Sequence, residues 1–388
     1  MATTQTEFEA LQSELDGAGV GATLETLTQQ LRERKSYHEL FEALKMQARY
    51  EIGLPLMYND AGDELDEATR TKLEDGLLEA CREVGMALLK EEKIREGWMY
   101  LRPVGDKKTA AEVLTDIEAN ESNLDELVEV LLHEGVDAGR GFKLVLDNYG
   151  TCNSITTFEG AMPQRTPDEQ KLCATILVNH LHAELLASVK ADIEQREGAQ
   201  PDQNTLAELV ADRDWMFGEY SYHVDTTHLS SVTRFARLLH DQEALRLALD
   251  MTAYGRKLNK QFQYEGDAPF SDNYPSHALY FQALLGENVD EAMAYFQEQA
   301  NALDPYEHGT GAMEVYIDLL SRVGRFEEAI EVSINMKAED RKMMGNAPSL
   351  LELSAKAGNY DRVIDECRQH NDLLGFATGL LQAAQTQD

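Results

Sequence analysis

Apolar residues recur in this chain with the 3.6-residue period of an α-helix, as at Leu24, Leu27 and Leu31 and again at Leu40, Phe41 and Leu44. The two-residue alternation of a half-buried strand is nearly absent. This periodicity confines the chain to an all-α fold. Helix stops fall at short clusters of Gly, Pro, Asn or Asp: the GAGVGA stretch, Gly53 to Gly62, Gly105-Asp106, Gly150 to Pro163, Glu197 to Gln203, and Gly266 to Pro275. Between them lie helix-sized pieces. The longest uninterrupted ones run from about Glu67 to Lys90 and from about Pro167 to Arg196.

At 388 residues the chain exceeds what one hydrophobic core usually holds, so two or three units or one continuous solenoid are expected. Seventy acidic residues against 35 Lys and Arg leave a formal net charge of −35. Such a polyanion repels nucleic acid and anionic lipid over its surface as a whole, so neither nucleic acid nor membrane is an expected partner. The acidic residues are spread along the chain, as a solvated surface requires. Cys81, Cys152, Cys173 and Cys367 form no C-x-x-C pair, which points to a reducing compartment. The N-terminal stretch MATTQTEFEALQSELDGAG has no basic region followed by an apolar one, and no run of 18 apolar residues occurs. A cytoplasmic protein is expected.

Near the C-terminus, YIDLLSRVGRFEEAIEVSINM aligns with LLELSAKAGNYDRVIDECRQH at an offset of 34 residues. Leu319 matches Leu353, Gly324 matches Gly358, Phe326 matches Tyr360, and Ile330 matches Ile364. A looser copy, LLGENVDEAMAYFQEQA, places Val289, Ala292 and Phe296 at corresponding positions, and KSYHELFEAL and EKIREGWMYL look like half-repeats. The spacing and the glycine-aromatic-small pattern over about 277–370 resemble the tetratricopeptide repeat. The resemblance implies stacked antiparallel helix pairs in an α-solenoid, with a glycine at the turn between paired helices and a small residue where they approach. Ala329 holds that small position in the first copy, and Val363 replaces it in the second. Partner binding is the function the resemblance implies. Three regions are expected: a repeat-like region over 1–147, a less regular helical region over 148–273, and the repeat pairs over 274–388.

The middle region carries five of the ten histidines, in NHLHAEL and EYSYHVDTTHL. His180 and His182 are two residues apart on a helix and point about 200° away from each other, so they cannot share a small site. His180 and Glu184 lie on one flank, at a spacing from which two side chains can ligate one metal, while His182 falls among Val178, Leu185 and Val189 and is expected in the core. His223, Asp225 and His228 precede a helical pattern whose N-cap Asp225, Thr226 or Thr227 can supply. Two expectations follow for this cluster. Either Asp225 caps the helix, or His223, Asp225 and His228 join His180 and Glu184 around Zn or another divalent ion, with Glu219 as catalytic base.

Cys152 lies in the polar stretch YGTCNSITTFEG, where it is either incidental or a nucleophile, should His180 or His223 come near. The common nucleotide-binding, hydrolase and zincin motifs are absent. Gln263 to Pro275 (QYEGDAPFSDNYP) is an aromatic-rich loop expected to form a lid or groove wall, with Tyr264, Phe270, Tyr274 and the nearby His277 as ligand-binding residues. The preferred reading is a helical-repeat scaffold that binds a protein segment or small ligand and needs no cofactor. The alternative is a metal-assisted hydrolase or lyase with its site in the central helices.

Overall fold

The structure is a computed structural model that describes residues 2–57, 65–336, 344–345 and 347–385. Part of the expected stop at Gly53 to Gly62 therefore lies outside the described residues. Among the described residues the chain is all-α, 75% helical with 20 packed α-helices and no strand. Two compact units make it up, 1–154 and 155–388. The first expected boundary, at 147, falls inside the helix Ala138–Ala161, and the regions expected over 148–273 and 274–388 meet within the second unit.

In the first unit the helices Glu67–Lys90 and Ile94–Leu101 cross at two glycines. A Cβ on Gly85 would stand 2.9 Å from the Gly97 carbonyl oxygen, and a Cβ on Gly97 would stand 2.9 Å from that of Gly85. The close approach lets Leu89, Ile94, Trp98 and Leu101 share one core with Leu114, Leu127 and Leu131. The ends of this core are held by polar groups, since the Arg140 guanidinium donates to the carbonyls of Leu114 and Ile117. The stop expected from Gly150 is a kink. Gly150 takes φ 78° and ψ 178°, yet residues on both sides are helical, which puts Cys152 on an exposed helical surface and not in a turn-rich loop.

The second unit is organised around the helix Pro167–Glu197. Its start is fixed by a capping box between Thr166 and Glu169 with Pro167 in the first turn, and its end by Gly198 at φ 81°. By length and composition this helix could cross a membrane, but within the unit its Leu177, Leu181, Leu185 and Val189 are fully buried. Against it pack the helices Thr226–Phe235 and Gln242–Lys257, and the latter packs on Asn273–Leu284. Gly255 permits that second contact, because a Cβ there would collide with the ring of Tyr274.

The helices Asn273–Leu284 and Val289–Ala302, Gly311–Arg322 and Phe326–Asn335, and Leu350–Ala357 and Asp361–Gln369 follow in sequence. Gly324 and Gly358 both stand between consecutive helices, at φ 81° and 69°. An L-residue is strained there, so glycine is the natural choice for such a turn. Ala329, Ile330, Leu319 and Leu353 are fully buried around these turns. Replacing Ala329 with Phe is expected to overpack this contact and cost roughly 1–3 kcal/mol, read from urea denaturation. An unchanged midpoint would mean that the space around Ala329 is open.

Candidate functional site

The residues expected around a metal stand in separate settings. His180 Nε2 lies 3.7 Å from Glu184 Oε2, and both side chains are exposed. His223 is taken up by the core, where its Nδ1 and backbone N–H each lie 2.9 Å from the Tyr254 hydroxyl and its Nε2 lies 3.1 Å from Asp192 Oδ2. That network closes when the Tyr254 O–H donates to Nδ1 and Nε2–H donates to Asp192. Asp225 caps the helix Thr226–Phe235, accepting from the Thr227 N–H at 2.8 Å and the His228 N–H at 3.4 Å. The Thr227 hydroxyl, which also donates to it, holds the Asp225 carboxyl below the usual carboxylate range. Glu219 is exposed, and its backbone carbonyl accepts from the Gln261 side chain.

Among the described residues no group of three or more His, Cys, Asp and Glu side chains is placed to hold a metal ion. The structure thus does not gather His180, Glu184, His223, Asp225 and His228 into one centre: Asp225 is engaged in capping, and His223 in hydrogen bonds to Tyr254 and Asp192. His182 is buried as its helical position requires, with Nε2 2.8 Å from Asp250 Oδ2. Asp250 is a residue the sequence did not single out. Its two oxygens also accept from the Leu206 and Ala207 N–H groups, at 2.8 and 2.9 Å, so it ties the start of the helix Leu206–Val210 to His182.

A cavity of about 1130 Å³ lies elsewhere in the second unit. Phe158, Met162 and Phe235 form an apolar floor, and Arg234, Arg237 and Leu238 line it from the end of the helix Thr226–Phe235 and the turn that follows. His277 and Tyr280 come from Asn273–Leu284, Asp318 and Arg322 from Gly311–Arg322, and the segment Glu265 to Phe270 supplies a further wall.

This wall is held in place. The Phe270 N–H donates to the Asp267 carbonyl at 2.8 Å, the Tyr295 hydroxyl donates to the Pro269 carbonyl at 3.1 Å, and a Cβ on Gly266 would stand 2.5 Å from the Phe270 oxygen. Phe270 anchors it among aromatic rings, stacked on His277 with centroids 4.2 Å apart and packed edge-on against Tyr280 at 5.6 Å.

Arg322 braces the opposite side. It donates to the Arg237 carbonyl at 2.6 Å, to the Tyr280 hydroxyl at 3.0 Å and to the Leu239 carbonyl, and lies 3.8 Å from Asp318. Burial raises the Asp318 carboxyl pKa and pushes the Tyr280 hydroxyl up to about 12. His277 donates Nδ1–H to the Asn273 carbonyl at 2.6 Å, while its buried Nε2 has no hydrogen-bond partner among the described residues. Burial first, and then the neighbouring Arg237 charge, press its pKa down to about 3, so the imidazole is neutral at pH 7.

Of the four residues expected to bind a ligand, Phe270 and His277 line this cavity and Tyr264 and Tyr274 do not. Tyr264 meets the Thr226 hydroxyl at 3.1 Å. Tyr274 is fully buried against Gly255, and among the described residues its hydroxyl has no partner. Replacing Tyr274 with Phe is expected to stabilise the fold by about 1 kcal/mol, since a buried unsatisfied hydroxyl is removed and the ring is kept. A lower denaturation midpoint in that variant would show that the hydroxyl is satisfied after all.

The cationic lining was not singled out from the sequence. Its only signal there is Arg234 and Arg237 at helical spacing in VTRFARLLH, within a chain otherwise dominated by acid. No protein family, curated protein or solved structure matches this chain. Fold and site together define an all-helical protein with a ligand-sized cavity in its second unit.

Proposed function

We propose that the chain is a binding scaffold whose ligand occupies the cavity of the second unit, and whose helices from 273 onward are tetratricopeptide-like pairs. The observation that supports this reading is the cavity itself. At about 1130 Å³ it is slightly larger than the usual range of small-ligand sites, roughly 300–1,000 Å³. It also has their usual make-up, an apolar and aromatic floor with a few convergent polar groups. Its walls are braced before any ligand arrives, by Arg322 on one side and the 265–270 segment on the other, which lowers the ordering cost of binding. The repeat reading is supported by the 34-residue spacing of two left-handed glycines between helices.

The test is a thermal-shift screen of organic acids, neutral aromatics and short peptides on the full chain and on Val315→Trp. Val315 lines the cavity and is partly exposed, so the larger indole extends into the space a ligand would fill. Compounds that raise the melting temperature of the parent chain and not of the variant support the proposal. Compounds that act equally on both, or an absence of any shift across the set, contradict it.

A further inference from the structure

Among the described residues, one arginine of the cavity wall has no carboxylate within ion-pair distance. Lys171 stands 3.3 Å from Asp168, Arg234 pairs with Glu159, and Arg322 is occupied by Asp318 and three oxygen acceptors. Arg237 differs. Its Nε–H donates to the Arg234 carbonyl at 3.0 Å, and its guanidinium carbon lies 4.8 Å from the centre of the Phe270 ring. Among the described residues no carboxylate stands within ion-pair distance of it, and its Nη groups have no protein acceptor.

Stacking on an aromatic face offsets part of the cost of desolvating a cation, while the four Nη donors have no protein acceptor among the described residues and are not sealed from solvent. In a chain with 70 carboxylates, a half-buried guanidinium at a cavity wall with no carboxylate in ion-pair contact is a position held open for an anion from outside. The surroundings limit that anion to a single charge. Glu265, Asp267 and Glu314 also line the cavity and would repel a second negative charge, and the neutral His277 adds no positive charge to balance it. Beside Arg237 the surface is aromatic, so the body of the ligand is apolar.

We infer that Arg237 is an anion subsite of this cavity and takes the carboxylate of a small organic acid whose apolar body lies toward Phe158 and Phe235. This inference rests on the cavity being the ligand site proposed above. The planar fork of the guanidinium suits the two oxygens of a carboxylate.

The test is calorimetric titration of the full chain with benzoic, 4-phenylbutyric and octanoic acids as their sodium salts, each beside its neutral amide, and with inorganic phosphate. At least one acid is expected to bind about tenfold or more tightly than its amide, and more tightly than phosphate. In Arg237→Gln the acid should fall to the level of the amide while the amide is unchanged, and Arg237→Lys, which keeps the charge but loses the fork, should lie between.

The comparison of acid with amide in the unaltered chain stands whether or not a variant folds. Equal binding of acid and amide there would overturn the anion subsite and leave the cavity reading intact. Tighter binding of phosphate would overturn the carboxylate assignment. No binding by any acid or amide would overturn the subsite and count against the cavity reading as well. Acid binding that survives unchanged in a folded Arg237→Gln would also refute the role of Arg237.

Discussion

Lowering the pH from 6.5 to about 4 is expected to cost the folded chain about 3 kcal/mol more than it costs a His277→Phe variant. His277 is 2% exposed, donates Nδ1–H to a carbonyl, and lies close to Arg237, with Arg234 the further charge that acts on it. Its folded pKa of about 3 is below the ordinary value of 6.5. Between those limits the unfolded chain binds more protons than the folded one. The contribution of the neutral buried imidazole is therefore complete above about pH 6.5 and is lost progressively as the pH falls towards 3. Phe fills a similar volume on the Phe270 ring and carries no titratable group. Urea denaturation of both proteins at the two pH values reads the difference directly, and equal pH slopes would contradict the burial of a neutral His277.

The second large effect is expected at Arg322. Replacing it with Ala should cost about 3 kcal/mol, because one change removes the nearest cation from the Asp318 carboxylate and leaves the Arg237 and Leu239 carbonyls without their donor. Asp318 already has a raised pKa, so the loss of its one nearby guanidinium moves it further from ionisation. Combining Arg322→Ala with Asp318→Asn should recover part of the loss, since no orphaned charge then remains. A loss below about 1 kcal/mol for the single change would place Arg322 among the solvated surface ion pairs and not in the frame of the cavity.

Much of the fold was legible in the residues. Period-3.6 patterning predicts the helices Glu67–Lys90 and Pro167–Glu197 almost to their ends, because capping residues and C-terminal glycine mark those boundaries locally. Gly324 and Gly358 were legible for the same reason, as positions where the backbone alone demands glycine. Gly150 shows the limit of local signals. The same preference that stops one helix merely kinks another, since what continues beyond it is decided by packing.

The site was legible only in part. The aromatic-rich segment before helix Asn273–Leu284 and the residues Phe270 and His277 stand at the cavity because loops rich in rings and polar groups tend to form walls. Tyr264 and Tyr274 share that composition and point elsewhere, since which ring faces a cavity depends on packing across elements. The histidines of the middle region were the more conspicuous feature, yet His180 is exposed beside Glu184, and His182 and His223 serve packing and hydrogen bonding through Asp250, Asp192 and Tyr254. Those partners are 31 to 68 residues away in sequence, beyond the reach of any motif. Arg237 gives no strong signal by itself, for what marks it is the absence of a carboxylate beside it in space.

The most direct measurement is a crystal structure of the full chain grown with saturating 4-phenylbutyrate. The account predicts the carboxylate within hydrogen-bond distance of the Arg237 Nη atoms, roughly 2.7–2.9 Å for a charged pair, with the phenyl ring against the aromatic floor of the cavity. An acid bound outside the cavity, or lying within it with its carboxylate turned away from Arg237, would contradict that prediction.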